Sequence, residues 1–482
     1  MKTRNLLYIL PIAALTACEP EIDELDFSPG SADFTTVVAV GNSLTAGFQS
    51  NALSAEGQEN SLPNMIATQM QEVGGGTFTQ PLIPGVPGQN GVGLNAAVPA
   101  PFVLPQLVLR NTATGPSPQL ASAPYDGSAF FASIGANGPF NNVGVPGARV
   151  THLNFQGYGS SQGNPYFARF ASNAGETMLQ AAMRNNPTFF ELWIGNNDVL
   201  GYSTTGGDEG GDAITAVGTF SALYKAALDS LTKNGAKGVV ANVPYVTSIP
   251  YFTTVGWNAL VLTQAQADGL NGAFAAYNGA LDSPQIAGQI NDADEVASRK
   301  LSFKAGANGF LFLDTDLTTA FTDTTGTQLP KWRQLKGGEL ITLTISQDDL
   351  RNNGLGSVNL ATGTPNPITG EFVLDADEVA EVRSTVDQYN TIIKNEAGAR
   401  GLAFVDANAR LQELSTTGIV ADGISFSSDF ITGGAFSLDG VHPATRGYAI
   451  IANDFISSIN ATYGSNIPKV NIGSYLTIEI QP

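Results

Sequence analysis

Apolar positions along the chain alternate between two rhythms. Phe34-Thr35-Thr36-Val37-Val38-Ala39-Val40-Gly41 is a β-branched run that stops on glycine, the pattern of a buried strand. Thr188 to Ile194, Lys237 to Val243 and Leu402 to Val405 repeat that pattern in short apolar runs. Between them the period lengthens to that of a helix. Glu176 to Met183 reads as one helix, and Phe220, Leu223, Tyr224, Ala227, Leu228 and Leu231 fall on one face of another. Val379 to Ala397 is a third, amphipathic one. Ser61-Leu62-Pro63 offers an N-cap with proline just inside, opening a helix through Met65, Ile66, Gln69 and Met70. Pro443 opens a last helix with proline in its first turn. Strands alternating with helices predict a parallel sheet covered on both faces, a three-layer α/β/α sandwich.

Two stretches break the rhythm. Residues 74 to 147 are rich in Gly, Pro, Asn and Ala with no helical period, and read as a long loop region or insertion. Residues 250 to 375 form a second insertion, with a helix near Gln264 to Leu281 and a strand at Leu340 to Ile345, a cap or subdomain. No internal repeat is present. A single domain over 34–482 carrying both insertions is therefore expected.

Composition narrows the function classes. Of 482 residues 43% are hydrophobic and only 13% charged, and the net charge of −20 excludes a bulk nucleic-acid surface as partner, because phosphate binding needs clustered Lys and Arg. One cysteine, Cys18, allows no internal disulfide and no thiolate cluster, and two histidines beside it leave no zinc site. No P-loop or dinucleotide fingerprint occurs, so no cofactor is expected. Asp314, Asp316 and Thr318 are spaced as in a calcium loop, but Thr319 and Thr325 stand where that loop needs Gly and Glu, so a solvated turn is expected.

Cys18 itself has a context. Lys2 and Arg4 precede an apolar stretch from Leu6 to Ala14, and Leu15-Thr16-Ala17-Cys18 follows. This is the pattern of a secretory signal, too short for a membrane span, and the tetrad resembles a bacterial lipobox. The expectation is that residues 1–17 are removed and Cys18 is acylated. Residues 18–33, acidic from Glu19 to Glu24, would then tether an exported protein to a membrane, the bacterial outer membrane.

Three segments at element ends carry complementary chemistry. The first strand delivers Gly41-Asn42-Ser43-Leu44, the strand at 188 to 194 delivers Gly195-Asn196-Asn197-Asp198, and near the C-terminus stands Asp439-Gly440-Val441-His442-Pro443. A serine hydroxyl needs a base to become a nucleophile, and histidine suits neutral pH. The base needs a carboxylate to fix its tautomer, and Asp439 lies three residues before His442 on a turn. Asn197 offers an amide donor for an oxyanion. Ser161, in Gly159-Ser160-Ser161-Gln162-Gly163, fits a rival nucleophile-elbow pattern, but its polar flanks read as loop where an elbow needs a strand before it. His152 lies in a polar stretch and reads as a surface or loop residue.

These blocks resemble the SGNH hydrolases, also called the GDSL family, a group of esterases, lipases and carbohydrate deacetylases on a three-layer α/β/α, flavodoxin-like fold. The resemblance implies Ser43 as nucleophile and as one oxyanion-hole N–H, Asn197 as the amide of that hole, and Asp439 and His442 as the rest of a triad. Val143-Gly144-Val145-Pro146-Gly147-Ala148 resembles the second block and implies Gly147 as a further N–H donor, with Gly175 as its competitor. Asn42 stands where the family has Asp, implying an altered local hydrogen bond. The implied activity is hydrolysis of O-acyl esters, of a lipid, an acetylated glycan or a small acyl ester. A non-catalytic, surface-anchored glycan- or lipid-binding protein on the same fold is the alternative.

Overall fold

Five short strands build the central sheet: β1 (Val37–Gly41), β2 (Asn142–Gly144), β3 (Phe189–Trp193), β4 (Lys237–Ala241) and β5 (Ala403–Val405). In this computed structural model, which describes residues 27–84, 91–112, 115–160, 162–322, 326–478 and 480–481, they pair in parallel in the order β2-β1-β3-β4-β5. Every residue of β1 and β3 is buried, which is why both read as continuous apolar runs rather than alternating ones. Gly41, the last residue of β1, stands beside Gly144 on one side and Trp193 on the other. The chain steps from β1 to β2 in one direction and then crosses to β3 in the other. That reversal opens a crevice beyond the carboxyl ends of β1 and β3, where open α/β sheets bind ligands.

Helices α1 (Ser43–Ala46), α2 (Leu62–Gln71), α3 (Met178–Met183), α4 (Asn197–Thr204), α5 (Val217–Leu231), α6 (Ala376–Arg400), α7 (Ala407–Thr416) and α8 (Thr445–Tyr463) complete the core. α2 and α8 pack on each other, with α8 against β4 and β5; α3, α5 and α6 pack together on the other face. Their ends are set by local chemistry. α6 opens with a reciprocal capping box, Asp375 accepting from the Glu378 N–H and Glu378 from that of Asp375, each at 2.9 Å, and it closes on Gly401 in the left-handed region. Among the described residues no helix is long and apolar enough to cross a membrane. The signal and anchor expected over residues 1–17 and at Cys18 lie outside the described residues.

Several details differ from the sequence reading. The stretch expected as loop over 74–147 ends in β2, the edge strand of the sheet. Asn-Val-Gly is too short and too polar to announce a strand, and polar side chains peg it in place: Asn141 Nδ2 donates to Val37 O (2.7 Å) and Asn142 Nδ2 to Thr45 O (3.0 Å). The same stretch also holds antiparallel pairs, Phe102–Val103 with Tyr125–Asp126 and Leu107–Thr112 with Gly115–Leu120. Pro443 lies before α8 rather than in its first turn. It bridges Phe436 while Ala444 takes the N-cap position.

In the second insertion, the helix expected at Gln264 to Leu281 breaks at Phe274 into Gln264–Ala273 and Ala275–Leu281, and the strand shrinks to Leu340–Ile341, paired with Val373–Leu374. This insertion has two apolar cores of its own, one around Leu270, Phe274 and Leu311, the other around Phe310, Phe312 and Ile341. The turn expected at Asp314 is not simply solvated: Asp314 is buried, and its carboxylate meets Arg333, which also pairs with Glu339 at 2.5 Å.

Burial raises the pKa of several carboxyl groups, Glu191, Asp198 and Glu378 among them. Glu191, in the middle of β3, is buried with Oε1 lacking any hydrogen-bond partner among the described residues, and burial pushes its carboxyl well above the ordinary range. Burial likewise raises Asp198 to about 6 and Glu378 to about 7, against the opposing pull of backbone N–H donors. A raised folded-state pKa means that the folded chain holds a proton the unfolded chain has already lost. Stability from these groups is full below the unfolded value of about 4 and is lost as pH rises through 6 to 7 and beyond. Calorimetry is therefore expected to give a lower Tm at pH 8 than at pH 5, with a smaller drop in Glu191→Gln. An equal drop in that variant would show that Glu191 does not titrate as its burial implies.

Candidate active site

Gly41 must be glycine for β1 to end as it does. A Cβ there would stand 2.1 Å from Thr45 Oγ1 and 2.5 Å from Trp193 O. With that passage clear, the chain turns directly into α1, whose first residue is Ser43. Asn42 is the cap. Its Oδ1 accepts from Leu44 N (3.0 Å) and its Nδ2 donates to Asn196 Oδ1 (3.2 Å), tying the ends of β1 and β3 together. An aspartate could make only the first bond, so the expected change in local hydrogen bonding is a gained donor.

The turn from Asp439 to His442 meets Ser43 from the opposite side. His442 Nε2 lies 2.8 Å from Ser43 Oγ, and His442 Nδ1 lies 3.0 Å from Asp439 Oδ2. Ser43 and Asp439 are both buried. Asp439 is held by four further donors: the N–H groups of Val441 (2.9 Å) and His442 (2.8 Å) and Ser437 Oγ (3.0 Å) on Oδ1, and Asn51 N (3.0 Å) on Oδ2. Burial alone would raise its pKa, but the neighbouring His442 and these hydrogen bonds outweigh it and bring Asp439 down to about 2. It is a carboxylate at any working pH. Gly440 takes φ +70°, and a Cβ there would meet Leu343 and Tyr251 at about 3 Å; Tyr251 N donates to Gly440 O (2.9 Å). The second insertion thus braces the very turn that presents His442.

Ser50, Asn51 and Ser437 were not singled out by sequence reasoning. Ser50 (φ 51°) and Asn51 (φ 63°) both adopt the left-handed region, which turns the Asn51 N–H toward Asp439 and the Ser50 N–H toward Ser437 Oγ (2.9 Å). Asn tolerates that backbone better than most residues, and a Gln-Ser-Asn turn soon after the nucleophile block was the available signal.

Asn197 begins α4 at the end of β3, and its Nδ2 donates to Ala148 O (2.9 Å), which docks the loop after β2 onto it. Asp198 holds the same loop through Val150 N (3.0 Å). Gly147 lies in that loop at φ +82°, exposed, and outside the wall of the cavity at Ser43. The N–H groups of Ser43 and Gly147 have no protein acceptor among the described residues. The competitor, Gly175, spends its N–H on Asn173 Oδ1 (3.0 Å) within its own turn.

His152 is partly exposed in a short turn, which the surface or loop reading allows, but its ring is held in place. It is half-buried, accepts Arg149 N at Nδ1 (3.0 Å) and stacks on Tyr158 at 4.5 Å, and burial with the nearby Arg149 lowers its pKa. Ser161 lies outside the described residues. A helix follows it, Pro165–Phe170, but turns rather than a strand precede it.

The arrangement can pass a proton from a serine hydroxyl to an imidazole whose other nitrogen is fixed by a carboxylate. It opens on a narrow cavity of about 110 Å³ lined by Ser43, Asn197 and His442 together with apolar side chains. No protein-family model matches the chain, and no curated protein matches it by sequence. Among solved structures, an acetyl-xylooligosaccharide esterase, Axe2 from Geobacillus stearothermophilus, aligns over 91% of this chain and 99% of its own, at 11% identity and a TM-score of 0.35. LAE5, an alpha/beta hydrolase enzyme from the metagenome of Lake Arreo, Spain, aligns over 89% and 97%, at 10% identity and a TM-score of 0.33. Likeness at this level carries no argument about activity, which rests on the residues themselves.

Proposed function

We propose that this chain is a serine esterase of the SGNH type that hydrolyses O-acyl esters through an acyl-enzyme. The observation that carries the reading is the unbroken contact line from Ser43 Oγ through His442 to Asp439, at 2.8 and 3.0 Å. In this mechanism His442 Nε2 takes the Ser43 proton as Oγ attacks the ester carbonyl. The resulting oxyanion is met by the N–H groups of Ser43 and Gly147 and by the remaining Nδ2 hydrogen of Asn197. As the tetrahedral intermediate collapses, the carbon–oxygen bond to the alcohol breaks and His442 returns the proton to the leaving alkoxide. Water, deprotonated by the same imidazole, then attacks the acyl group on Ser43 and releases the acid. Asp439 fixes the tautomer throughout and stabilises the imidazolium. The chemistry needs no cofactor.

A glycan- or lipid-binding protein on the same fold has no use for a serine within hydrogen-bond reach of a carboxylate-paired histidine, which weighs against that alternative. The proposal extends to the anchor: Cys18 is acylated and holds the enzyme on a membrane after export. One experiment addresses both. Cells expressing the full chain are treated with a serine-directed fluorophosphonate and split with detergent. A labelled band in the detergent phase, moving to the aqueous phase or staying unprocessed in Cys18→Ser, is the expected result. An unlabelled protein would refute the esterase, and a labelled wild-type protein already in the aqueous phase would refute the anchor.

A further inference from the structure

Beyond the carboxyl ends of β3 and β5, α7 and α8 face each other across the cavity that starts at Ser43. Each presents one stripe at helical spacing: Ala407, Leu411 and Leu414 on α7, and Gly447, Ile450 and Ile451 on α8. Trp193 and Val405 from the sheet ends, with Leu44 and Val441 beside the triad, line most of the remaining wall with apolar side chains, and the amides of the lining, Asn42, Asn196 and Asn197, lie at the Ser43 end. Charge enters the lining only at Arg410 and Asp454, one on each helix. They form a two-pronged pair, Nε to Oδ2 at 2.7 Å and Nη2 to Oδ1 at 2.5 Å, in which each charge meets its opposite. Arg410 also reaches Glu413 and is the more exposed partner, at 37%. From Gly447 to Asp454 the wall is roughly 10 Å long at the rise of an α-helix.

A slot that is narrow, apolar and free of unpaired charge is a poor home for a sugar, whose hydroxyls would be buried without partners. It is a good one for an alkyl chain. Resting on the reading of Ser43 as the attacking serine, we propose that this slot binds the acyl tail of the substrate, so that the preferred esters are those of medium-chain aliphatic acids of roughly eight carbons, a length set by the wall. The acyl group is assigned to the slot because it stays on Ser43 through the second half of the reaction, whereas the alcohol must leave to solvent before water can enter. The Arg410–Asp454 pair closes the far end.

The test uses the purified mature protein and two ester series: one alcohol with acyl chains from acetyl to hexadecanoyl, and acetate esters of alcohols of rising length. In the acyl series kcat/KM is expected to rise about fourfold per methylene, the fold-change equivalent of ~0.8 kcal/mol for each buried CH₂, and to flatten near eight carbons. The alcohol series should stay nearly flat. Ile451→Phe, on a half-buried side chain that can relax outward, and Leu411→Phe should each cut the octanoyl-to-acetyl ratio at least tenfold. A preference for acetyl in an enzyme that the phosphonate still labels at Ser43 would overturn the tail slot and leave the esterase standing. A rise confined to the alcohol series would overturn it as well. A protein that cleaves no ester and takes no label would bring down both readings.

Discussion

Ser43→Ala is expected to lower kcat for any cleaved ester by on the order of 10⁴- to 10⁶-fold and to abolish phosphonate labelling, as removal of a serine nucleophile does elsewhere. The fold should survive the change. Ser43 Oγ meets His442 Nε2, and the turn itself is held by Asn42 Oδ1 on Leu44 N, so loss of one oxygen leaves the cap intact. Melting of the variant within a few degrees of wild type separates lost chemistry from lost structure. Ser161→Ala is the matched control and should retain both activity and label, because turns lead into that segment where a nucleophile elbow needs a strand. Activity lost with Ser161 and kept without Ser43 would move the nucleophile to the rival motif.

The parts of this molecule that were legible in its sequence are those where local and long-range demands coincide. β1 and β3 are buried on both faces, so their composition announces them, and a strand that must turn sharply into a helix announces itself through Gly41 and the polar residues after it. β2 escaped because an edge strand of three residues is held by Asn141 and Asn142 side chains rather than by apolar burial, and no hydrophobic period encodes that. The same limit hid the bracing of Asp439. Ser437 is two residues away in sequence, but Asn51 is brought in from 388 residues away, and only the fold makes that bond. The surface or loop reading of His152 left out its contacts for a related reason: its polar sequence neighbours gave no sign of Tyr158 stacked on the ring. The helix at Ala407–Thr416 was not foreseen, and it takes the packed structure to show that its apolar stripe and that of α8 face each other across an open slot.

His442→Ala is expected to cost several orders of magnitude in kcat and to remove the acid limb of the pH profile, since the base must be neutral to accept the Ser43 proton. The chain has only two histidines, which makes the assignment testable without ambiguity. His152 accepts a backbone N–H at Nδ1 and is held neutral to lower pH by burial and by Arg149, so His152→Ala should lower Tm through the lost acceptor and leave the acid limb in place. Asp439 supplies the sharper test. At about 2 its pKa keeps it ionised, so the wild-type acid limb cannot belong to it. Stability from this depressed carboxyl is present above the unfolded value of about 3.8 and is lost progressively as pH falls from there through about 2. In Asp439→Asn the amide oxygen can still accept from Val441 and His442 N–H, but the NH₂ group then faces the donor Asn51 N and the His442 ring. It would favour the tautomer with Nδ1 bare and Nε2 protonated, which points a donor at Ser43 and leaves nothing to take its proton. A fall of about 10⁴-fold in kcat is expected, with some loss of Tm from the opposed donors. Partial recovery at high pH, as hydroxide replaces the missing base, is expected only if the tautomer is the defect. A His442→Ala enzyme that kept most of its rate with an unchanged acid limb would mean that another group is the base, and the triad would have to be abandoned.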